Sequence, residues 1–449
     1  MSPELLAALS GVFGLYCIGR EVRAIVRAKQ IRISNLFLIM YGLTYGVILS
    51  LILILYDANI YKIRGYFLRF DYTDNGISYA AWWFFAAVIG YFAYRFASVL
   101  RFGGKTHSKS PLRQTVDNAL LLERLQYTSI ICLLIGVVCF WLWVNGWGGY
   151  TNLFLNAAEI RNGTYEFRNP VAFFAKPAQI VATVSMTSLY LIKQKKHVGL
   201  NAVLFLISFV ISLMYYMAKD GRMVMAMYLL IVLFMWDGTF EKQEKMGKKF
   251  ARLMLAFVLF VLIVLNMDQL TFFLRNDTAL KTDDVPMWQS VLDELGYIYV
   301  AGQTSVEHCM TQGSPLLIGH EIGLSLFAWL PSSFTPDGLI DVWNYNTYLI
   351  GGRDATAQFP SDLISTSLYD LGLLGPALLP GFWGALLNKF DRIKNSSDSP
   401  LMVVLYYSMS MALIRVVNYS MFSATIASAF HIFVAAVVFW LISRIRFHR

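Results

Sequence analysis

Long apolar runs separated by short polar linkers set the pattern of this chain. A helix that crosses a bilayer needs about 20 consecutive apolar residues. Eleven runs approach that length, at roughly residues 3–19, 34–56, 78–99, 126–145, 171–192, 200–218, 223–236, 251–267, 363–388, 401–417 and 423–442. The first and seventh are short. A single long interruption, about residues 268–362, separates the eighth run from the ninth. Within it, PMWQSVLDELGYIYV opens on a helix-starting Pro286 and has mixed polarity, whereas Pro315 to Leu330 (PLLIGHEIGLSLFAWL) is apolar enough for a shallow interfacial helix. Pro331, Pro336 and Gly338 end that helix. The ninth run contains Gly372, Gly375, Pro376, Pro380 and Gly381, which predicts a bent or broken span. The expected architecture is all-α and polytopic, with about eleven transmembrane helices. Residues 1–267 supply spans one to eight, 268–362 a large extracytoplasmic loop with short helices, and 363–449 the last three spans.

Composition agrees. Hydrophobic residues make up 57% of the chain and charged ones only 14%, with a mean hydropathy of +0.54, which excludes an ordinary soluble multi-domain protein. The net charge of +9 would suggest nucleic acid until its distribution is read. The linkers Arg20–Arg32, Arg95–Arg124, Lys193–Lys196, Lys242–Arg252 and Lys389–Lys394, with the segment Arg444–Arg449, hold twenty-five of the 37 lysines and arginines, all on one side if the spans alternate. Acidic residues divide the opposite way, leaving +17 on that side and −8 on the other. Positive loops stay cytoplasmic, so the N-terminus is expected outside and the C-terminus inside. The basic surplus is then a topology signal, and no nucleic-acid partner is needed to explain it. The basic linkers are too short for a nucleotide-binding domain and no G-x-x-x-x-G-K-[ST] occurs, which excludes an ATP-driven transporter with its motor in this chain. MSPELL has no basic n-region, so the first run is expected to be a retained helix.

The candidate chemistry is cationic. No H-E-x-x-H, C-x-x-C, G-x-S-x-G or D-x-D is present, and His308–Cys309 has no partner at ligand spacing, so neither a metal nor another cofactor is expected. Cys17, Cys132 and Cys139 fall in spans, which leaves no disulfide framework. Arg222 follows a tight turn (MYYMAKDG) between the sixth and seventh runs, beside Lys219. Arg161 and Arg168 lie in WGGYTNLFLNAAEIRNGTYEFRNP, Lys176 in the first turns of the fifth run, Arg353 in the large loop and Arg415 near the outer end of the tenth run. Converging, these cations would bind a pyrophosphate, because arginine offers planar bidentate donors and keeps its charge. Taken singly, each can instead snorkel to headgroups or pair with a nearby acid: Asp220 by Arg222, Glu159 by Arg161, Asp354 by Arg353. His320, heading GHEIG with Glu321 beside it, is the residue type most often used as a general base, or is an interfacial histidine bonded to backbone. His431 reads as packed in the last span.

Three stretches resemble the Wzy-type O-antigen and oligosaccharide repeat-unit polymerases of bacterial inner membranes. KDGRMVMAMYLL is similar to that family's Arg-Gly-type turn opening a span. GGYTNLFLNAAEIRNGTYEF is similar to its Gly-Gly stretch followed by an arginine, and FPSDLISTSLYDLGLLGP to its proline-serine, Leu-Tyr and Gly-x-x-Gly motif entering a late span. Ser367 stands where the last motif has a glutamate, and the spacing to Gly372 is one residue shorter. The resemblance implies a GT-C-like membrane glycosyltransferase acting at the periplasmic face on undecaprenyl-pyrophosphate-linked oligosaccharide. Membrane lipids would surround it, with a chain-length regulator protein as partner. It implies that Arg222, Arg161 and Arg415 face the pyrophosphate leaving group and that His320 takes the acceptor's proton. Arg353 would position a glycan, with Arg168, Lys176 and Lys219 also in the binding site. An O-antigen ligase has a similar outline. A lipid-linked oligosaccharide flippase is the reading from another class, and would be expected to show two similar halves.

Overall fold

The computed structural model describes residues 1–57, 70–100, 111–162, 165–167, 169–219, 222–239, 241, 287–352, 358–397 and 399–444. The expected eighth span, Arg168 and Arg353 lie outside these residues. No strand forms among the described residues. The first apolar run is α1 (Pro3–Ala28), started by Ser2, whose hydroxyl accepts the Leu5 N–H, and continued through the basic stretch to a left-handed Lys29. The second is one continuous element of α2 (Ile33–Gly42), a π-helical segment (Leu43–Ile48) and α3 (Leu49–Asp57). Then come α4 (Asp74–Val99), α5 (Pro111–Asn145), the short α6 (Tyr150–Leu155), α7 (Ala157–Asn162) and α8 (Ala175–Ala178), α9 (Ile180–Lys193), α10 (Val198–Ala218) and α11 (Arg222–Asp237). The large loop supplies α12 (Met287–Thr311), α13 (Ile318–Phe327) and α14 (Val342–Gly351). The chain closes with α15 (Leu363–Leu371), α16 (Gly375–Ser396), α17 (Pro400–Arg415), α18 (Phe422–Ser428) and α19 (Phe430–Arg444).

Among the described residues seven helices are long and apolar enough to cross a membrane, including α1, α4, α10, the α2–α3 element and the α15–α16 pair. This is a multi-pass helical membrane protein. Of the four expected runs not among these, the eighth lies outside the described residues and the other three are shortened locally. The fifth run breaks at Ala172–Phe174 and α8, leaving α9 with 14 residues, and α11 and α17 have 16 each. At 1.5 Å per residue, α17 is about 24 Å long, short of a bilayer core of about 30 Å. The ninth run breaks as its glycines and prolines predict, at Gly372 (φ +62°), between α15 and α16. On α1, Leu6, Ala7 and Cys17 are buried while Val12 and Leu15 are exposed, as a helix with one face to protein and one to lipid requires. Small residues admit close helix approach: any side chain at Gly46 would collide with the Gly14 backbone of α1, and one at Gly384 with the Tyr94 backbone of α4.

Helix ends that carry the basic linkers gather at one end of the bundle. Glu21 of α1 meets Arg95 of α4, Gln30 meets Asn395 at the end of α16, the Ile33 N–H donates to Tyr406 Oη at the start of α17, and Lys193 reaches the Met235 carbonyl of α11. At the opposite, loop end α12 does more than cover the spans. Its residues from Tyr297 to Gly302 are buried, Tyr299 Oη donates to the Thr44 carbonyl in the π segment (2.9 Å), and Gln303 Nε2 donates to the Gly76 carbonyl of α4 (2.8 Å). α12 is therefore lodged among the spans rather than above them.

Candidate functional site

Arg415 is the last residue of the short α17. The turn that follows is fixed from several sides. Thr44 Oγ1 donates to Asn418 Oδ1 (2.7 Å), Tyr45 Oη to the Val417 carbonyl (3.1 Å), Tyr297 Oη to the Asn418 carbonyl (2.7 Å), and the Leu363 N–H to the Val417 carbonyl (3.1 Å). The Arg415 guanidinium lies 5.9 Å from the Tyr419 ring centre. The ionisable groups that act on it are Tyr419, Tyr297 and Tyr216, none a carboxylate.

Two lysines converge on the same place. The last turn of α10 presents Tyr215, Tyr216 and, one residue beyond the helix, Lys219. Tyr215 Oη donates to the Ala175 carbonyl (2.9 Å) and Gln179 Nε2 reaches Tyr216 Oη (3.5 Å), which pins the end of α10 against the residues flanking Lys176. The Lys219 ammonium sits 5.4 Å from the Tyr215 ring centre. Lys219 is exposed to solvent. The surrounding protein still removes enough water that burial, ahead of the positive charge of Arg415, lowers its ammonium to about 8. Lys176, partly buried, feels the charge of Lys219 in turn. Its Nζ donates to the carbonyls of Ala328 (3.0 Å) and Leu330 (2.8 Å), just after α13. No carboxylate among the described residues forms an ion pair with any of the three.

Three of the expected cations, Lys176, Lys219 and Arg415, are thus brought together. Arg222 opens α11 three residues after Lys219, so their Cα atoms are within about 11 Å. Arg161 lies in the last turn of α7. The side chains of Arg222 and Arg161, like the whole of Arg168 and Arg353, lie outside the described residues.

His320 is placed differently. Its Nδ1 accepts the Ile340 N–H (3.2 Å), leaving Nε2 as the ring nitrogen for other partners. Glu321 does not pair with it. That carboxylate is buried and accepts the Val342 N–H on one oxygen and the Ser423 N–H on the other, both at 3.0 Å, so it ties α13 to the first turns of α14 and α18. Burial raises its pKa, opposed by those two bonds. His431 is buried, as expected of a packed residue.

The FPSD stretch becomes a buried polar helix. Ser361, Asp362, Ser365, Thr366, Ser367 and Asp370 are all at most 1% exposed. Asp362 caps α15 by accepting the Ile364 and Ser365 N–H groups and also accepts from Tyr45 Oη (2.9 Å). Ser367, at the family's glutamate position, donates to the Ile364 carbonyl of its own helix (2.6 Å). Both oxygens of Asp370 are buried without a hydrogen-bond partner, with Glu321 as the charged group acting on them. An acid inside an apolar run is a signal the sequence carries, and the candidate residues above omit it.

Fold and site together define a multi-pass helical membrane protein with a cluster of cations at one end that no carboxylate among the described residues pairs. No family model, no curated protein and no solved structure matches the chain.

Proposed function

We propose that this protein is a glycosyltransferase of the bacterial inner membrane that polymerises undecaprenyl-pyrophosphate-linked oligosaccharide repeat units into O-antigen or a related surface polysaccharide. The observation that carries the reading is the meeting of Lys176, Lys219 and Arg415, from three separate segments, with no carboxylate among the described residues paired to any of them. A structural cation is ordinarily neutralised; cations held together without an acid await an anion. The resemblance of three sequence stretches to the Wzy-type polymerases names which anion. In this reading the chain has eleven spans in a GT-C-like arrangement, its basic end is cytoplasmic with the C-terminus, and the loop end and N-terminus are periplasmic.

The chemistry follows from the charges. The hydroxyl oxygen of one lipid-linked repeat unit attacks the anomeric carbon of the growing chain. The bond from that carbon to the pyrophosphate oxygen breaks, and the lipid pyrophosphate leaves with the electron pair. Lys219 and Arg415, with Arg222 three residues from Lys219 and Arg161 of the preceding outer loop, stabilise that developing negative charge. Arg353 and Arg168 bind glycan or phosphate oxygens, and His320, through Nε2, takes the hydroxyl's proton.

Deleting the gene in its host and resolving the surface glycan on a gel tests this. Single repeat units reaching the surface without the ladder of longer chains is the expected result. Polymer accumulating on its lipid carrier would make the protein a ligase. Repeat units trapped on the cytoplasmic leaflet would make it a flippase.

A further inference from the structure

Lys176 has two neighbours of opposite kind. Its Nζ holds the carbonyls of Ala328 and Leu330, the negative end of the turn that closes α13. The Tyr215–Ala175 bond sets it beside Lys219, whose charge repels it. α13 is held at its start by the Leu317 N–H, which donates to the Tyr369 carbonyl, and by His320 Nδ1, which accepts the Ile340 N–H. Glu321 accepts the Val342 and Ser423 N–H groups beneath its middle, Trp329 Nε1 donates to the Ile426 carbonyl (2.7 Å) and stacks on Phe433 (4.6 Å), and Lys176 holds the end. Its other face is apolar and open, with Ile322 50% and Leu326 74% exposed.

We propose that Lys176 is an anion-released latch: a diphosphate arriving beside Lys219 and Arg415 draws the Lys176 ammonium off the Ala328 and Leu330 carbonyls, freeing the closing turn of α13. This rests on the reading of the cluster as a pyrophosphate site and adds its regulation. An ionised phosphate oxygen is a stronger acceptor than two neutral carbonyls. Its charge also turns the field at Lys176 from repulsive to attractive. A ligand shifts an equilibrium only by its differential interaction with the two states, and here the difference is the ammonium's change of partner. Site occupancy would then be felt at α13, the helix that ties α14 to α18.

The test is amide hydrogen exchange on the purified full chain in zwitterionic nanodiscs, with inorganic pyrophosphate as probe and its binding measured in parallel by calorimetry. Exchange at the Val342 and Ser423 amides reports release of α13. Saturating pyrophosphate is expected to speed it about fivefold, the ratio given by losing one net hydrogen bond. Lys176→Gln is expected to exchange at the faster rate already and to gain nothing further. Pyrophosphate that binds without changing exchange, or that slows it, overturns the latch and leaves the anion site standing. Absence of binding overturns the anion site and the latch with it. The wild-type titration stands alone, so a misfolded variant would not spare the proposal. Nanodiscs containing phosphatidylglycerol separate the sources: release there without pyrophosphate would support the latch but assign its anion to lipid headgroups.

Discussion

The two ends of the bundle handle charge in opposite ways. At the basic end several charges near the spans have partners within the chain: Glu21, 1% exposed, accepts from Asn35 Nδ2 (2.7 Å) and Arg95 Nη1 (3.0 Å), Asp391 accepts from Tyr406, and Lys193 lies 3.6 Å from Glu241. Among the described residues at the loop end, Lys219 and Arg415 meet tyrosines and each other, and Lys176 meets carbonyls and the Phe173 ring. Desolvating a charge is costly unless something compensates it. The basic end supplies that compensation from within the chain. In the proposed reading the loop end leaves it to a ligand, which is how a binding site would differ from a scaffold built of the same residue types.

The contrast predicts that substitutions at the two ends fail differently. Arg415→Ala or Lys219→Ala should reduce polymer formation by roughly a hundredfold, the usual loss on removing one preorganised charge from a developing anion. The melting temperature should hardly move. Normal ladders on a glycan gel, at equal protein level, would break the comparison. Glu21→Gln should do the reverse. It leaves Arg95 without its carboxylate and should cost about 2–3 kcal/mol of stability, read as a lower midpoint in thermal unfolding, with turnover per folded molecule retained.

Proton loss from Lys219 sharpens the contrast further. With its ammonium lowered to about 8, activity should fall as pH rises through that value. Stability should move the other way. Between about 8 and the ordinary lysine value of about 10.4 the unfolded chain holds a proton that the folded chain has shed, so stability rises with pH across that window. Lys219→Arg keeps the charge and should move the alkaline fall in activity to higher pH; an unmoved profile would remove Lys219 from the site. The smallest effect is expected at Lys193→Gln. Its ion pair with Glu241 is solvent-exposed, and its loss should change stability by less than about 0.5 kcal/mol.

What was legible in the sequence follows from length scales. Runs such as 3–19 and 200–218 declare helices by themselves, because an apolar stretch of that length has one stable solution in lipid. The break at Gly372 was readable from its glycines and prolines for the same local reason. The burial of α12 was not, because Gln303 and His308 look like surface residues until Gly76 and Tyr345 are seen to receive them. The cations were identifiable one by one as charges near apolar boundaries. Their meeting depends on Tyr215, Tyr216 and the short α17, contacts spread over more than two hundred residues. The same gap explains Lys176, whose carbonyl partners at Ala328 and Leu330 no local pattern announces, and Glu321, a neighbour of His320 in sequence that bonds in another direction.

The most direct test is reconstitution of the purified protein with its lipid-pyrophosphate-linked repeat unit, following chain growth and lipid pyrophosphate release together. The account predicts one lipid pyrophosphate released for each repeat unit joined, with both signals falling in parallel for Lys219→Ala and Arg415→Ala. Chain growth that persists at the wild-type rate in those variants, or release without any joining, would contradict it.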